Sequence, residues 1–195
     1  MGTKISAKEF YDKFAPTYDA ALKSPQIDAQ HVNEAAKIFQ KYNNATSGSI
    51  LDLGCGTGQL KDLLGDEFEY TGIDISDEML KRASDRGYKT IKKPIEDALG
   101  ELPDRSYDFI FALSSFHFFE NIDLLLKNLE RIACRSILLS LDEVTEDYKR
   151  NFSVAVYNHS QLEFPNAKEN YFIRGWTSPT TGITIKSKMI YIEIV

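Results

Sequence analysis

Cysteine is scarce in this chain of 195 residues: only Cys55 and Cys134 occur, far apart and neither in a C-x-x-C pair. Such usage excludes a disulfide framework and the common zinc spacings, and it fits a reducing compartment. Long apolar runs are missing as well. The longest, such as Ile137 to Leu141, fall far short of the roughly 20 residues that cross a bilayer, and the N-terminus lacks the apolar core of a signal peptide. A soluble, cytoplasmic protein with no membrane partner is expected. Met1 to Ser6 matches the loose myristoylation pattern, a match that carries meaning only where the transferase exists. Positive charge is in deficit, with 23 Lys+Arg against 29 Asp+Glu and a net charge of −6. An acidic chain without a basic stripe is ill suited to holding phosphates by counterion release, so nucleic acid is not an expected partner. Only Lys89, Lys92 and Lys93 run the other way. There is no internal repeat, low-complexity tract or Pro/Gly-rich linker, which leaves one domain over residues 1–195. With 43 % apolar and 27 % charged residues the chain can build a sizeable core.

What is present is an alternation of strand and helix signals. Ser49 to Leu53 is a short apolar run that ends in glycines, and Gln59 to Leu64 carries Leu60, Leu63 and Leu64 at helical spacing before Gly65. Glu69 to Ile75 reads as a second strand. Ser76 follows as an N-cap, with Asp77 and Glu78 in the first turn of a helix through Arg86 and Gly87 just past its end. Tyr88 to Ile91, Tyr107 to Leu113 and Ser136 to Leu141 read as strands three to five, with a helix from Asn121 to Ile132. Apolar strands separated by helices imply a parallel sheet covered on both faces. Before this unit, Ser6 to Glu9 is a capping box that opens a helix carrying Phe10, Phe14 and Tyr18, disturbed by Pro16, and Ile27 to Tyr42 forms a second amphipathic helix. After it, Tyr171 to Trp176 and Ile183 to Val195 form a hairpin around the turn chemistry of Ser178 to Gly182.

The segment that carries chemistry is Leu51 to Gly58, in which Gly54, Gly56 and Gly58 join the first strand to its helix. Glycine lets the backbone turn sharply and lets a ligand approach the main chain, and the helix that follows presents unpaired N–H groups. A dinucleotide fingerprint needs glycine where Gln59 stands, which argues against a bound pyrophosphate. Asp74, at the end of the second strand and 20 residues after Gly54, is placed to accept hydrogen bonds from two ribose hydroxyls. The bland alternative is that Asp74 caps the helix near Ser76. A nucleoside ligand is the reading of this pair.

The stretches Ile50 to Gly58, Gly72 to Leu80, Leu102 to Ile110 and Tyr11 to Asp19 together resemble the class I S-adenosylmethionine-dependent methyltransferases, in their small-molecule, type 11/25-like branch. The likeness spans Phe10 to Leu141. It implies an α/β fold: a three-layer, Rossmann-like, doubly wound seven-stranded sheet of order 3-2-1-4-5-7-6 with strand seven antiparallel. It also implies a helical lid or substrate segment over residues 1–48 and a cofactor-binding core over 49–195. Carried onto this chain, the resemblance implies that Gly54, Cys55 and Gly56 line the methionine part of S-adenosyl-L-methionine (SAM), with Asp52 near its amino group. Asp74 holds the ribose, Ile75 packs on the adenine, and Met79 and Leu113 border the pocket. Many relatives place an acidic residue after strand three; the matching position here is Pro94, and Ile95 and Glu96 are the expected replacements.

Methyl transfer from a sulfonium is an in-line displacement with a good leaving group, so alignment and exclusion of water are the main tasks. His117, just after strand four, is the candidate general base, and a packing histidine is its alternative. Tyr11 and Tyr18 are expected to close over the cofactor. Asp142 to Pro165, with Phe152, Tyr157, His159 and Phe164, is a candidate wall for the acceptor. The expected function is SAM-dependent methylation, yielding S-adenosyl-L-homocysteine (SAH), of an O- or N-nucleophile on a small molecule without a metal. The alternatives are a SAM-binding sensor or partner subunit without catalysis and, third, an NAD(P)-dependent oxidoreductase.

Overall fold

The computed structural model describes residues 5–25, 27, 29–149, 153–177 and 182–194. Most of the myristoylation pattern, Phe152 and most of the Ser178 to Gly182 turn lie outside them. The N-terminal segment holds α1 (Ala7–Phe14), α2 (Tyr18–Leu22) and α3 (His31–Tyr42). The Ser6 hydroxyl caps α1 by accepting from the Glu9 amide at 3.1 Å, and Pro16 tightens the chain into a single 3₁₀ turn before α2.

Next come β1 (Gly48–Leu53), α4 (Gln59–Leu64), β2 (Phe68–Asp74), α5 (Asp77–Asp85), β3 (Lys89–Lys92), α6 (Ile95–Glu101) and β4 (Tyr107–Leu113). The chain closes with α7 (Ile122–Ile132), β5 (Ala133–Asp142), α8 (Glu146–Lys149), β6 (Glu169–Thr177) and β7 (Thr184–Glu193). The seven strands form one sheet of order β3-β2-β1-β4-β5-β7-β6. β1 to β5 pair in parallel, and β7 enters antiparallel between β5 and β6. This is the doubly wound topology expected.

Alternate residues of the central strands supply two separate cores. Leu51, Leu53, Ile110, Ala112, Ile137 and Leu139 pack with α6 and α7, whereas Ile50, Phe109, Phe111 and Leu138 pack with α3, α4 and α5. Both faces are covered, so the strands read as continuous apolar runs. Phe39 of α3 meets Phe109 edge-to-face at 4.8 Å and touches Phe68 and Phe111, which pins α3 to the sheet. Among the described residues, no helix is long and apolar enough to cross a membrane.

Three expectations need correction. The helix read from Ile27 begins only at His31, because the preceding backbone is used elsewhere: the Ile27 carbonyl accepts from Thr177 at 2.9 Å, and the Gln30 amide donates to Gly175 at 3.0 Å. α6 was not foreseen, although Ile95, Ala98 and Leu99 face the core at helical spacing with Glu96 and Asp97 in the first turn. β5 starts three residues early, at Ala133, since α7 runs straight into it. The basic group of Lys89, Lys92 and Lys93 turns out to be neutralised in ion pairs with Glu69, Asp77 and Glu101. Truncating the fully buried Phe109 to alanine is expected to cost about 3–5 kcal/mol in urea unfolding. A loss below about 1 kcal/mol would mean that the aromatic contact does not hold α3 to the sheet.

Candidate functional site

The carboxyl ends of β1 and β2 are joined by a few main-chain bonds. The Gly54 and Cys55 amides donate to the Ile73 carbonyl at 2.8 and 3.2 Å. Asp74 accepts from the Gly56 amide at 3.0 Å and from the Ser76 amide at 2.9 Å. Ser76 itself is the cap of α5, accepting from the Met79 amide at 3.2 Å. Asp74 thus shares part of the capping work that its alternative reading proposed, and it also shapes the glycine loop. Burial raises its pKa, against the opposing pull of these amides.

Gly54 has a φ of 68°, and a Cβ there would stand 2.6 Å from Cβ of Ser115. Its need for glycine therefore comes from the packing of the loop on the segment after β4 as well as from the turn. At Gly56, with a φ of 51°, the nearest atom to such a Cβ is on the Tyr18 ring, 3.7 Å away. This glycine lies beside a ring of the N-terminal segment.

A small cavity of about 30 Å³ lies beside the loop, bounded by Tyr18, His31, Asp52, Gly54, Cys55 and Leu113, among others. A larger open hollow of about 520 Å³ is lined by Tyr42, Asn43, Cys134, Arg135 and Glu193. It sits at the amino ends of the parallel strands. Ligands of this architecture bind at the carboxyl ends, so the smaller space is the candidate. Asp52 is buried there and accepts from the Tyr88 hydroxyl at 3.1 Å. Burial, with some help from the Asp74 charge, pushes its carboxyl up to about 7. Burial also pushes the Cys55 thiol well up, so it stands as a protonated packing group.

Not every expected residue joins this cavity. Tyr18, Asp52, Gly54, Cys55 and Leu113 line it. Met79 is fully buried, and its sulfur lies 4.0 Å from where a Gly56 Cβ would be. Ile75 and Tyr11 pack instead in a small cluster with Ala7, Val144 and Val156. Ile95 is buried on the α6 face, Glu96 is exposed in the first turn of α6, and neither lines the cavity. His117 lies in a buried 3₁₀ turn with its ring 4.3 Å from that of Phe118, and its carbonyl accepts from the Tyr157 amide at 2.7 Å. Burial lowers its pKa to about 4, so it is a much weaker base than an ordinary imidazole.

Two residues that the sequence reading passed over tie the N-terminal segment to the loop. Asp19 accepts from the Thr57 hydroxyl at 2.5 Å and from the Gln59 amide group at 3.0 Å, and pairs with Arg86. Burial raises the Asp19 pKa, but the Thr57 hydrogen bond and Arg86 outweigh it and leave the carboxyl below its usual range. Asp12, seven residues earlier, accepts from the Ser76 hydroxyl at 2.6 Å. The signal was in view: two Tyr-Asp pairs, Tyr11-Asp12 and Tyr18-Asp19, repeat at two helical turns. Gln59, where a dinucleotide fold has glycine, is one arm of this clasp.

Apart from these contacts, Asp142 at the end of β5 accepts from the hydroxyls of Ser114 and Ser187 and from the Trp176 indole. Ser114 takes up a φ of 53°. A left-handed serine at a strand's carboxyl end is local strain of the kind that gathers at functional sites.

Residues 51–136 match the family model described as a methyltransferase domain. The match begins in β1, includes the glycine loop and Asp74, and ends in β5. Over this segment, a little under half of its length, the chain resembles the class I S-adenosylmethionine-dependent methyltransferases. It is 31 % identical over 120 residues to an uncharacterized methyltransferase of Schizosaccharomyces pombe, covering 57 % of this chain and 46 % of that one. To the malonyl-[acyl-carrier protein] O-methyltransferase of Bacillus cereus it is 27 % identical over 160 residues, covering 80 % and 56 %. The chain thus spans about half the length of these curated relatives. Magnesium protoporphyrin IX methyltransferase of Synechocystis PCC 6803, solved with bound SAH, shares the fold at a TM-score of 0.62 and 18 % identity over 85 % of this chain and 82 % of that one. The methyl donor of this methyltransferase family is SAM.

The Asp52 carboxyl gives a test of the buried site by itself. Its folded-state pKa of about 7 lies above the unfolded value. Its contribution to stability is therefore complete below about pH 4 and is lost as pH rises through about 7. Asp52→Asn should raise Tm above wild type at alkaline pH, with the difference shrinking toward acid. A Tm difference that does not change with pH would show that Asp52 is not held protonated by burial.

Proposed function

We propose that the chain transfers the methyl group of SAM to an O- or N-nucleophile of a small-molecule acceptor. The observation that carries this reading is the grouping of Asp52, Asp74 and the glycine loop beneath Tyr18 at the carboxyl ends of β1 and β2. The residues fit the cofactor: a buried carboxyl at Asp52 suits an ammonium, and Asp74 keeps oxygen lone pairs for ribose hydroxyls beyond its two amide bonds. When bound, SAM supplies an electrophilic methyl group whose departure leaves a neutral thioether. Asp52 and the loop orient the amino-acid end, Asp74 the sugar, and Tyr18 excludes water from above. The chain is assigned alignment here, and proton removal is not assigned to His117, whose basicity burial has reduced.

The name of one relative supports an oxygen nucleophile, since the Bacillus cereus protein is an O-methyltransferase, in its case of malonyl-[acyl-carrier protein]. Pairing of Lys89, Lys92 and Lys93 with carboxylates supports the exclusion of nucleic acid. Two free cysteines support a cytoplasmic setting. Residues 1–48 are read as the lid and substrate segment over a core of residues 49–195. Ligand sites of cofactor size usually span about 300–1,000 Å³. On this reading the cavity of about 30 Å³ is closed, and residues 1–48 would move to admit ligand.

Calorimetry should show SAM and SAH binding while NAD does not, with Asp74→Ala weakening SAH by about tenfold to a hundredfold. Tighter binding of NAD would overturn the reading in favour of an oxidoreductase. A labelled-methyl screen of metabolite extracts then separates enzyme from sensor: binding without transfer to any acceptor favours the sensor. For the lid, Asp19→Ala should raise the SAH dissociation rate about tenfold in stopped-flow displacement, the worth of a charged hydrogen-bond clasp. An unchanged rate would remove residues 7–22 from the path of exchange.

A further inference from the structure

His31 is the first residue of α3, is only 5 % exposed and lines the cavity together with Asp52 and Gly54. Its Nδ1 is buried and has no hydrogen-bond partner among the described residues. Buried polar atoms are nearly always satisfied, and leaving one bare is destabilising, so a lone ring nitrogen on a residue that lines the cavity marks a place for a partner from outside the chain. A second observation gives the sign of that partner. α3 is twelve residues long, its N-cap Gln30 offers no side-chain cap, and its positive end therefore adds to the attraction for an anion at His31. On the same cavity stands Asp52, whose buried carboxyl is suited to a cation.

The cavity thus offers an acid on one wall and a nitrogen donor at a helix start on another. One ligand group matches both, the zwitterionic end of an amino acid. Resting on the reading above, we propose that His31 anchors the carboxylate of the cofactor's methionine part through Nδ1–H, while Asp52 takes the ammonium. His31 is then a positioning residue: by fixing the amino-acid end it sets where the sulfur, and hence the methyl group, lies. The charged and titratable groups about the ring are Tyr18 from α2, Asp52 from β1 and Asp142 from β5. Burial lowers the affinity of the ring for a proton, and Asp142 partly restores it.

The test compares SAH with its decarboxylated analogue, which lacks only the carboxylate, by calorimetry on the full chain. Wild type should prefer SAH by about tenfold to a hundredfold, the worth of a charge-assisted hydrogen bond. His31→Leu should abolish that preference by weakening SAH alone, and His31→Asn, which places an amide nitrogen near the Nδ1 position, should keep most of it. A preference that survives in His31→Leu, or an equal loss for both ligands, overturns the proposal and leaves His31 a packing group. If wild type binds no SAH at all, the cofactor reading itself falls. Should His31→Leu fail to fold, wild type and His31→Asn still decide: the proposal does not survive if wild type binds the two ligands equally or if the asparagine variant loses the preference.

Discussion

The hydrogen bonds that join the ends of β1 and β2 are the constraint on which the site depends. The Ile73 carbonyl receives two successive amides of the glycine loop, and the Asp74 carboxylate receives a third amide from that loop and one from the start of α5. One dipeptide of β2 thereby fixes the curvature of the loop that follows β1. The same loop packs closely on Ser115 at Gly54, and it follows shortly after Asp52, which accepts from the Tyr88 hydroxyl. Glycine loop, Asp74 carboxylate and buried Asp52 are in this sense one object, held from the strand next door.

Much of this was legible in the sequence because it is periodic or local. β4 and α4 fall at their expected boundaries, since apolar alternation, helical spacing and a terminal glycine are all short-range signals. Ser76 is a cap on the same grounds. The misses have a common cause, which is that contacts distant in sequence decided them. Backbone bonds to β6 delay the start of α3 to His31, and no local pattern around Ile27 records a strand some 150 residues away. α6 alone was a true local oversight, with Ile95, Ala98 and Leu99 at helical spacing.

The candidate site was legible in its loop and less so in its walls. Asp52, Gly54 and Tyr18 were named from motif and position and do share the cavity. His117 has the chemistry of a base, but what burial does to an imidazole depends on neighbours that chain order does not reveal. His31 is the converse case: on an amphipathic helix a single histidine looks like packing, and only the burial of its Nδ1 without a partner distinguishes it. Asp19 and Gln59 pair across 40 positions, and neither residue announces the other.

The clasp between Asp19 and the loop has a thermodynamic consequence. Thr57 and Gln59 flank Gly58 of the glycine loop, so on the proposed function parting Asp19 from them would couple opening of the N-terminal segment to release of the loop in one equilibrium. If closure and binding share that equilibrium, the apparent affinity for any ligand is its intrinsic affinity scaled by the fraction of molecules in the competent state. Residues that never touch the ligand, such as Arg86, then set how tightly it is held, and changes on the outer surface of the N-terminal helices register as changes in occupancy of a site they do not line.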